Sequence, residues 1–172
     1  AKLENLNGHY MRHVADAELL KHFIDFLPHA EGGKALLSRI DDAMMAKLLH
    51  AMPGLKDRAK TLVELMKGAQ FLFAVRPLKL DDKARQIMAD GGRDSLRGLI
   101  PVLEATTDWQ AHAMESAVKA HAETAGLKLG KLAQPLRAAL TGTSVSPGIF
   151  DVLEVLGREE SLARLRDQAQ IA

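Results

Sequence analysis

Apolar residues recur every three to four positions along most of the chain, which is the spacing of an amphipathic α-helix. Between residues 16 and 27, for example, one helical face collects Leu19, Leu20, Phe23, Ile24 and Leu27. No segment keeps the strict apolar–polar alternation of a half-buried strand. The pattern therefore predicts an all-α protein.

Glycine, proline and capping residues divide this pattern into ten helices. They are predicted near residues 5–13, 16–27, 35–51, 55–73, 82–89, 93–105 and 109–125, with three more inside 131–165. The third is expected to stop at Met52-Pro53-Gly54, and Pro101 to kink or restart the sixth. Thr106-Thr107-Asp108 is expected to cap the seventh at Trp109.

The stretch from Val75 to Leu80 has no clear period and reads as a connector. A length of 172 residues suits one domain or two small ones. We therefore predict two helical subdomains, 1–75 and 76–172.

Composition narrows the class of protein. Apolar residues make up 47% and charged residues 26% of the chain, as in folded globular proteins. No apolar run approaches the roughly 20 residues that cross a bilayer, so we expect no membrane association. The absence of cysteine excludes disulfides, zinc–thiolate sites and a thiol nucleophile, and it fits a reducing cytoplasm. Because the chain begins with Ala1, we expect a fragment or a processed product.

Basic residues are concentrated in two windows, although the net charge is only +1. Residues 56–85 hold eight Lys or Arg against four Asp or Glu, and residues 119–137 hold four against one. These windows are compatible with a patch that binds nucleic acid and, equally, with ordinary solvated helix faces.

No arrangement of residues indicates a catalytic site. His9 and His13 stand four residues apart, a spacing compatible with metal ligands, but structural or surface histidines explain them better. No Ser/His/Asp arrangement is visible, and no Gly-Lys-Ser/Thr phosphate loop follows the paired glycines. A small metal-binding helical protein remains one alternative.

The uncharged turn from Thr141 to Gly148 separates two predicted helices. Ser146 suits an N-cap with Pro147 at the first helical position, which would leave backbone N–H groups facing outward to receive a phosphate or a base. Arg137 lies one helical turn before Thr141 and would project beside it as a planar donor. An ordinary connecting loop is the other reading, and the residues alone favour it.

Several segments together resemble the C-terminal anticodon-binding region of bacterial glutamyl-tRNA synthetases, and the resemblance spans essentially the whole chain. The most specific is GLKLGKLAQPLRAALTG at 126–142, followed by SPGIF at 146–150 and LGRE at 156–159. LNGHYMR at 6–12 is similar to the family's NGxYxR segment. The family's basic helix start is matched by Lys56, Arg58, Thr61 and Leu62.

This resemblance implies a two-part helical domain that grips the anticodon loop of the glutamate tRNA. Arg58 matches the arginine that reads the third anticodon base and helps to exclude glutamine tRNA. Arg137 and the turn from Thr141 to Ile149 match the elements that hold the first and second bases. The residues implied to contact the anticodon are Arg58, Lys119, Arg137, Thr141, Ser146, Pro147 and Ile149.

The family's nucleotide-binding half, with its HIGH and KMSKS-type motifs, is absent from this sequence. The resemblance thus implies recognition here, with ATP and Mg²⁺ used by the catalytic N-terminal half of a parent glutamate–tRNA ligase. We expect a cytoplasmic monomer that binds no DNA. With aromatic residues at only 4%, arginine and backbone contacts should dominate. The alternative is a helical protein-interaction module that binds no RNA.

Overall fold

The structure is a computed structural model that describes residues 8–170, and within that range it contains α-helices and no strand. The all-α prediction is confirmed. The helices are α1 Gly8–His13, α2 Asp16–Phe26, α3 Gly33–Leu37, α4 Asp42–Arg58, α5 Leu62–Gly68, α6 Asp82–Ile87, α7 Arg93–Ala105, α8 Ala111–Thr124, α9 Leu129–Thr141, α10 Ile149–Leu156 and α11 Arg158–Gln170. The predicted Asn5 cap and Leu6 lie outside the described residues.

The chain divides into two compact units, the first ending at Phe73 and the second beginning at Ala74. In the first, α2 packs against α4, and α5 closes the core. Its fully buried side chains include Leu19, Phe23, Leu48, Met52 and Leu65. Leu19, Phe23 and Leu48 are core positions predicted from the helical spacing, whereas Met52 lies where the third helix was expected to stop.

The second unit is built around α7, which packs against α8, α9 and α11. Leu96, Leu99 and Leu103 on α7 are fully buried, as are Leu136 on α9 and Leu165 on α11. The strong amphipathic pattern of residues 93–105 therefore gives the central helix of this unit, with the predicted bounds.

The predicted third helix is wrong at both ends. The chain breaks after α3, and Asp41 starts α4 by accepting a hydrogen bond from the Met44 N–H at 2.8 Å. That helix then continues through Pro53 to Arg58. Proline removes the bond to the carbonyl four residues earlier, and here that carbonyl belongs to the exposed Leu49, where water can hydrate it.

The sequence also predicts a break at Asp90-Gly91-Gly92 and a kink or restart at Pro101. The break at Asp90-Gly91-Gly92 is confirmed, because Gly91 has a positive φ of 89° inside a π-turn spanning Met88–Gly92. Pro101, by contrast, does not restart the sixth helix, which runs unbroken as α7.

The seventh helix begins two residues later than predicted. It starts at Ala111, and the residue before it, Gln110, makes no side-chain cap. The Trp109 indole N–H donates to the Leu153 carbonyl on α10 at 2.8 Å. Trp109 is therefore held by α10 and is not part of α8. Within residues 8–170, no helix has the length and apolar character needed to span a membrane.

Candidate nucleic-acid interface

The turn between α9 and α10 is organised around Arg137. The Arg137 Nε donates to the Ser146 hydroxyl at 3.0 Å, and that hydroxyl donates in turn to the Pro147 carbonyl at 2.7 Å. Arg137 is half-buried on the last turns of α9, whereas Ser146 and Pro147 are buried. The guanidinium therefore stands beside the turn, as predicted, and also holds its far end.

The prediction that Ser146 is the N-cap of the next helix is wrong. The helix α10 starts at Ile149, its N-cap is Gly148, and no side chain caps it. The Ser146 hydroxyl is occupied by Arg137 and the Pro147 carbonyl, so it contributes to the interior of the turn. Ile149 is only 5% exposed, which leaves its side chain in the core.

Two threonines tie the first half of the turn together. The Thr141 hydroxyl donates to the Arg137 carbonyl at 2.8 Å and lies 3.2 Å from the Thr143 hydroxyl. Thr143 donates to the Val145 carbonyl at 2.7 Å. These bonds leave Val145 at the tip, where the residue is 75% exposed. The turn thus presents an uncharged, partly apolar tip on a hydrogen-bonded base.

Gly142 lets the end of α9 approach another segment of the chain. It has a φ of +76°, and its carbonyl accepts from the Asp81 N–H at 2.9 Å. A Cβ added at this position would stand 2.6 Å from the Lys79 carbonyl oxygen. Only glycine satisfies both conditions without strain.

Arg164 fixes the same end of α9 from inside the second unit. Its side chain is 2% exposed, its Nη1 donates to the Leu140 carbonyl at 2.7 Å, and its Nε pairs with Glu160 at 2.7 Å. A helix end leaves carbonyls without intrahelical partners, and a buried arginine here satisfies one of them. The position of Arg137, one turn earlier, therefore depends on the core of the unit.

Arg58 lies in the first unit as the last residue of α4, not in a helix start. Thr61 caps the following helix by accepting from the Glu64 N–H at 3.1 Å, while Glu64 accepts from the Lys60 N–H at 2.7 Å. These two hydrogen bonds hold the short link after Arg58. Arg58 itself is exposed and pairs with no acidic residue in 8–170.

Lys119 is exposed on α8 and pairs with Glu115 one turn earlier, at 2.7 Å. No contact joins it to the α9–α10 turn among the described residues. The structure therefore brings Arg137, Thr141 and Ser146 together but not Lys119.

The basic window at 56–85 keeps most of its charge exposed. Lys56 is used structurally, since it pairs with Asp16 at 2.6 Å, and Arg76 and Arg85 also face carboxylates. The exposed cations that pair with none of residues 8–170 are Arg58, Lys60, Lys67, Lys79 and Lys83. Cations of this kind suit contacts with phosphates.

The predicted metal pair is a short-range contact within α1. The His9 and His13 rings lie 4.4 Å apart, and the His13 Nδ1 is 2.7 Å from the His9 carbonyl oxygen. Among the residues that the structure describes, no group of three or more histidine or acidic side chains could hold a metal ion.

Sequence reasoning did not single out the residues beside Thr141 in the second unit. The segment 74–79 and Thr141 line a pocket of about 380 Å³. Arg76 and Lys79 belong to the basic window at 56–85. The only sequence signal for a pocket in this segment is that residues 75–80 have no helical period. Their closeness to Thr141 comes from chain contacts that periodicity does not show.

The sequence of this chain is similar to those of known proteins. Residues 17–169 match the family model described as "Anticodon binding domain". The chain is 59% identical over 167 residues to glutamate–tRNA ligase 2 of Brucella ovis and to glutamate–tRNA ligase 1 of Brucella melitensis. Those 167 residues are 97% of this chain and 35% of each relative, so the chain spans about a third of their length.

Solved structures show the same fold. The glutamate tRNA ligase of Elizabethkingia meningosepticum superposes with a TM-score of 0.74 at 23% identity, covering 95% of this chain and 31% of that one. The glutamate-tRNA synthetase of Elizabethkingia anophelis gives 0.67 at 23% identity, covering 96% and 30%.

Proposed function

Because this chain belongs to the anticodon binding domain family, we propose that it binds a tRNA anticodon loop as the recognition part of a glutamate–tRNA ligase. The observation that carries the proposal is the family match across residues 17–169. The 59% identity to glutamate–tRNA ligases supports glutamate tRNA as the ligand. On this proposal, 1–75 and 76–172 are two anticodon-binding subdomains.

Two kinds of contact would hold the loop. Single-stranded RNA is recognised by stacking and by hydrogen bonds to base edges, whereas exposed cations contact its phosphates. The Arg137 guanidinium and the exposed tip at Val145 supply the first kind. Arg58 is proposed to read the third anticodon base, and Lys119 to contact the backbone. Ser146, Pro147 and Ile149 would act by shaping the turn, because their side chains are buried.

The chemistry of the parent enzyme is proposed to lie in a catalytic N-terminal half. ATP and Mg²⁺ are assigned there, because this chain covers only 35% of the glutamate–tRNA ligases that it matches. We propose a cytoplasmic monomer, where tRNA and ATP are both present. A helical module that binds only protein is less favoured, because the family match and the exposed cations both point to RNA.

Binding and its salt dependence test this proposal. The 172-residue chain should bind an anticodon stem-loop of glutamate tRNA, and its affinity should fall as salt rises. With about three to five phosphate contacts, the slope of log K against log salt should be about −2 to −3.5. Fluorescence titration at several salt concentrations measures both quantities. No binding, or binding indifferent to salt, would contradict the proposal.

Replacing Arg58 with glutamine should remove discrimination at the third anticodon position. A bidentate arginine–base pair contributes about 1–3 kcal/mol of discrimination against the wrong base. The wild-type chain should therefore prefer the glutamate stem-loop over a third-position variant by about fivefold or more, and Arg58→Gln should bind both alike. Lys67→Gln, another exposed cation of the first unit, should weaken both equally. An unchanged preference in Arg58→Gln would remove Arg58 from the site.

A further inference from the structure

A pocket of about 380 Å³ adjoins the α9–α10 turn within the second unit. Thr141 forms one side, and the segment 74–79 forms the rest. Its volume lies in the range of ~300–1,000 Å³ that is common for sites that bind small molecules. Of its lining residues, Thr141 belongs to the α9–α10 turn and Lys79 to the exposed cations described above; the others have no role in the proposed function.

Helix α11 of the second unit contacts the wall of the pocket. Arg76 pairs with Glu160 at 3.7 Å and Asp167 at 3.3 Å, both on α11. The buried Gln168 amide donates to the Leu78 carbonyl at 3.0 Å. Contacts from a neighbouring helix therefore hold this segment, although it has no helical structure of its own. A pocket built in this way needs little rearrangement before it binds a ligand.

The side chains of the pocket offer three different kinds of contact. Two carboxylates orient the Arg76 guanidinium, and one of them, Glu160, also pairs with Arg164. The oriented guanidinium provides a flat surface on which a base can stack. Val75 is 73% exposed and supplies apolar surface. Lys79 is exposed and pairs with no acidic residue between 8 and 170, so its charge remains for an anion. A flat ring with an attached phosphate matches all three.

We propose that this pocket binds one unstacked nucleotide of the anticodon loop, with its base against Arg76 and Val75 and its phosphate at Lys79. The inference rests on the proposed function and adds a base-binding site to it. RNA is favoured over a protein loop because the pocket combines a planar cation with an unpaired lysine. It is also continuous, through Thr141, with the turn that Arg137 organises.

The test compares four single variants of the 172-residue chain in titrations with the glutamate anticodon stem-loop. Lys79→Ala should weaken binding roughly fivefold and reduce the salt slope by about 0.7, the value for one phosphate of a single strand. Arg76→Lys keeps the charge but removes the plane, and it should weaken binding roughly fivefold or more. Val75→Asp alters an exposed side chain, so it places a negative charge in the pocket without disturbing the core.

Lys128→Ala is the matched control. It removes an exposed lysine at the start of α9, about 20 Å along the helix from Thr141. The control should bind like the wild type, and thermal melts should show that Val75→Asp and Lys79→Ala remain folded. A series of stem-loops carries 2-aminopurine at one loop position each. At one of these positions, the fluorescence change on binding should be smaller with Arg76→Lys than with the wild type.

The outcomes separate the two proposals. If the wild-type chain binds the stem-loop and Lys79→Ala, Arg76→Lys and Val75→Asp all bind it equally well, the pocket proposal is overturned and the proposed function stands. The same holds if Lys128→Ala loses as much affinity as the three pocket variants. A pocket that serves a protein loop would give the same unchanged RNA binding. If the wild-type chain binds no stem-loop, both proposals fail.

Discussion

Gly142→Ala is expected to destabilise the second unit by about 2–5 kcal/mol. A residue with a side chain costs about 1–2 kcal/mol in the left-handed conformation that Gly142 adopts at φ +76°. The added Cβ would also stand 2.6 Å from the Lys79 carbonyl oxygen, which is a backbone atom and cannot rotate away. Relieving that overlap adds roughly 1–3 kcal/mol and separates the turn from the segment that lines the pocket.

Urea denaturation followed by tryptophan fluorescence measures this effect. Trp109 is the only tryptophan of the sequence and lies in the second unit, so its emission reports on that unit. Gly126→Ala is the matched control, since Gly126 has a similar φ of +66° but no atom within 4 Å of an added Cβ. It should cost only about 1–2 kcal/mol. Equal losses in the two variants would show that the close approach to Lys79 contributes nothing.

Arg137→Ala is expected to weaken binding of the glutamate anticodon stem-loop by about 1–3 kcal/mol, a loss of roughly 5- to 150-fold. This is the usual contribution of one bidentate or stacked contact with a base. Arg97→Ala, which removes an exposed arginine of the same unit that pairs with Asp94, should change affinity little. Stem-loop titration of both variants checks the expectation.

Ser146→Ala distinguishes a direct contact from a structural role for Arg137. The Arg137 Nε donates to the Ser146 hydroxyl, so removing either partner disturbs the turn. If Arg137 acts only by holding Ser146, the two single variants and the double variant will lose the same affinity. If Arg137 also contacts RNA, Arg137→Ala will lose clearly more than Ser146→Ala. Equal losses in all three variants would therefore return Arg137 to a structural role.

The helices could be predicted from the sequence wherever the apolar face was strongly periodic. The bounds of α7 match the prediction, because its leucines repeat at helical spacing and glycines precede them. Prediction failed around Pro53 and Thr61, where local signals compete. Proline indicated a stop, but an exposed position lets water satisfy the carbonyl that proline leaves unbonded. The chain breaks instead between Arg58 and Leu62, where Thr61 caps the next helix by accepting from the Glu64 N–H.

The sequence predicted which residues share the α9–α10 turn better than it predicted the contacts between them. The sequence placed Arg137 beside the turn, and the structure has it there. The role of Ser146 was wrong because its hydroxyl had two competing partners, the helix N–H groups and Arg137, and the second lies nine residues away. Lys79 and Gly142 are 63 positions apart, so their close approach left no periodic signal.

By itself, the sequence determined the helical class, the apolar faces that form the two cores and the family resemblance carried by the AQPLR and LTG segments. These depend on short-range spacing, which a helix repeats every 3.6 residues. The tertiary structure alone decided that Ser146 faces inward, that Arg164 holds the end of α9 and that the segment 74–79 forms a pocket with Thr141. Those features depend on contacts between distant residues, and such contacts exist only once the helices pack together.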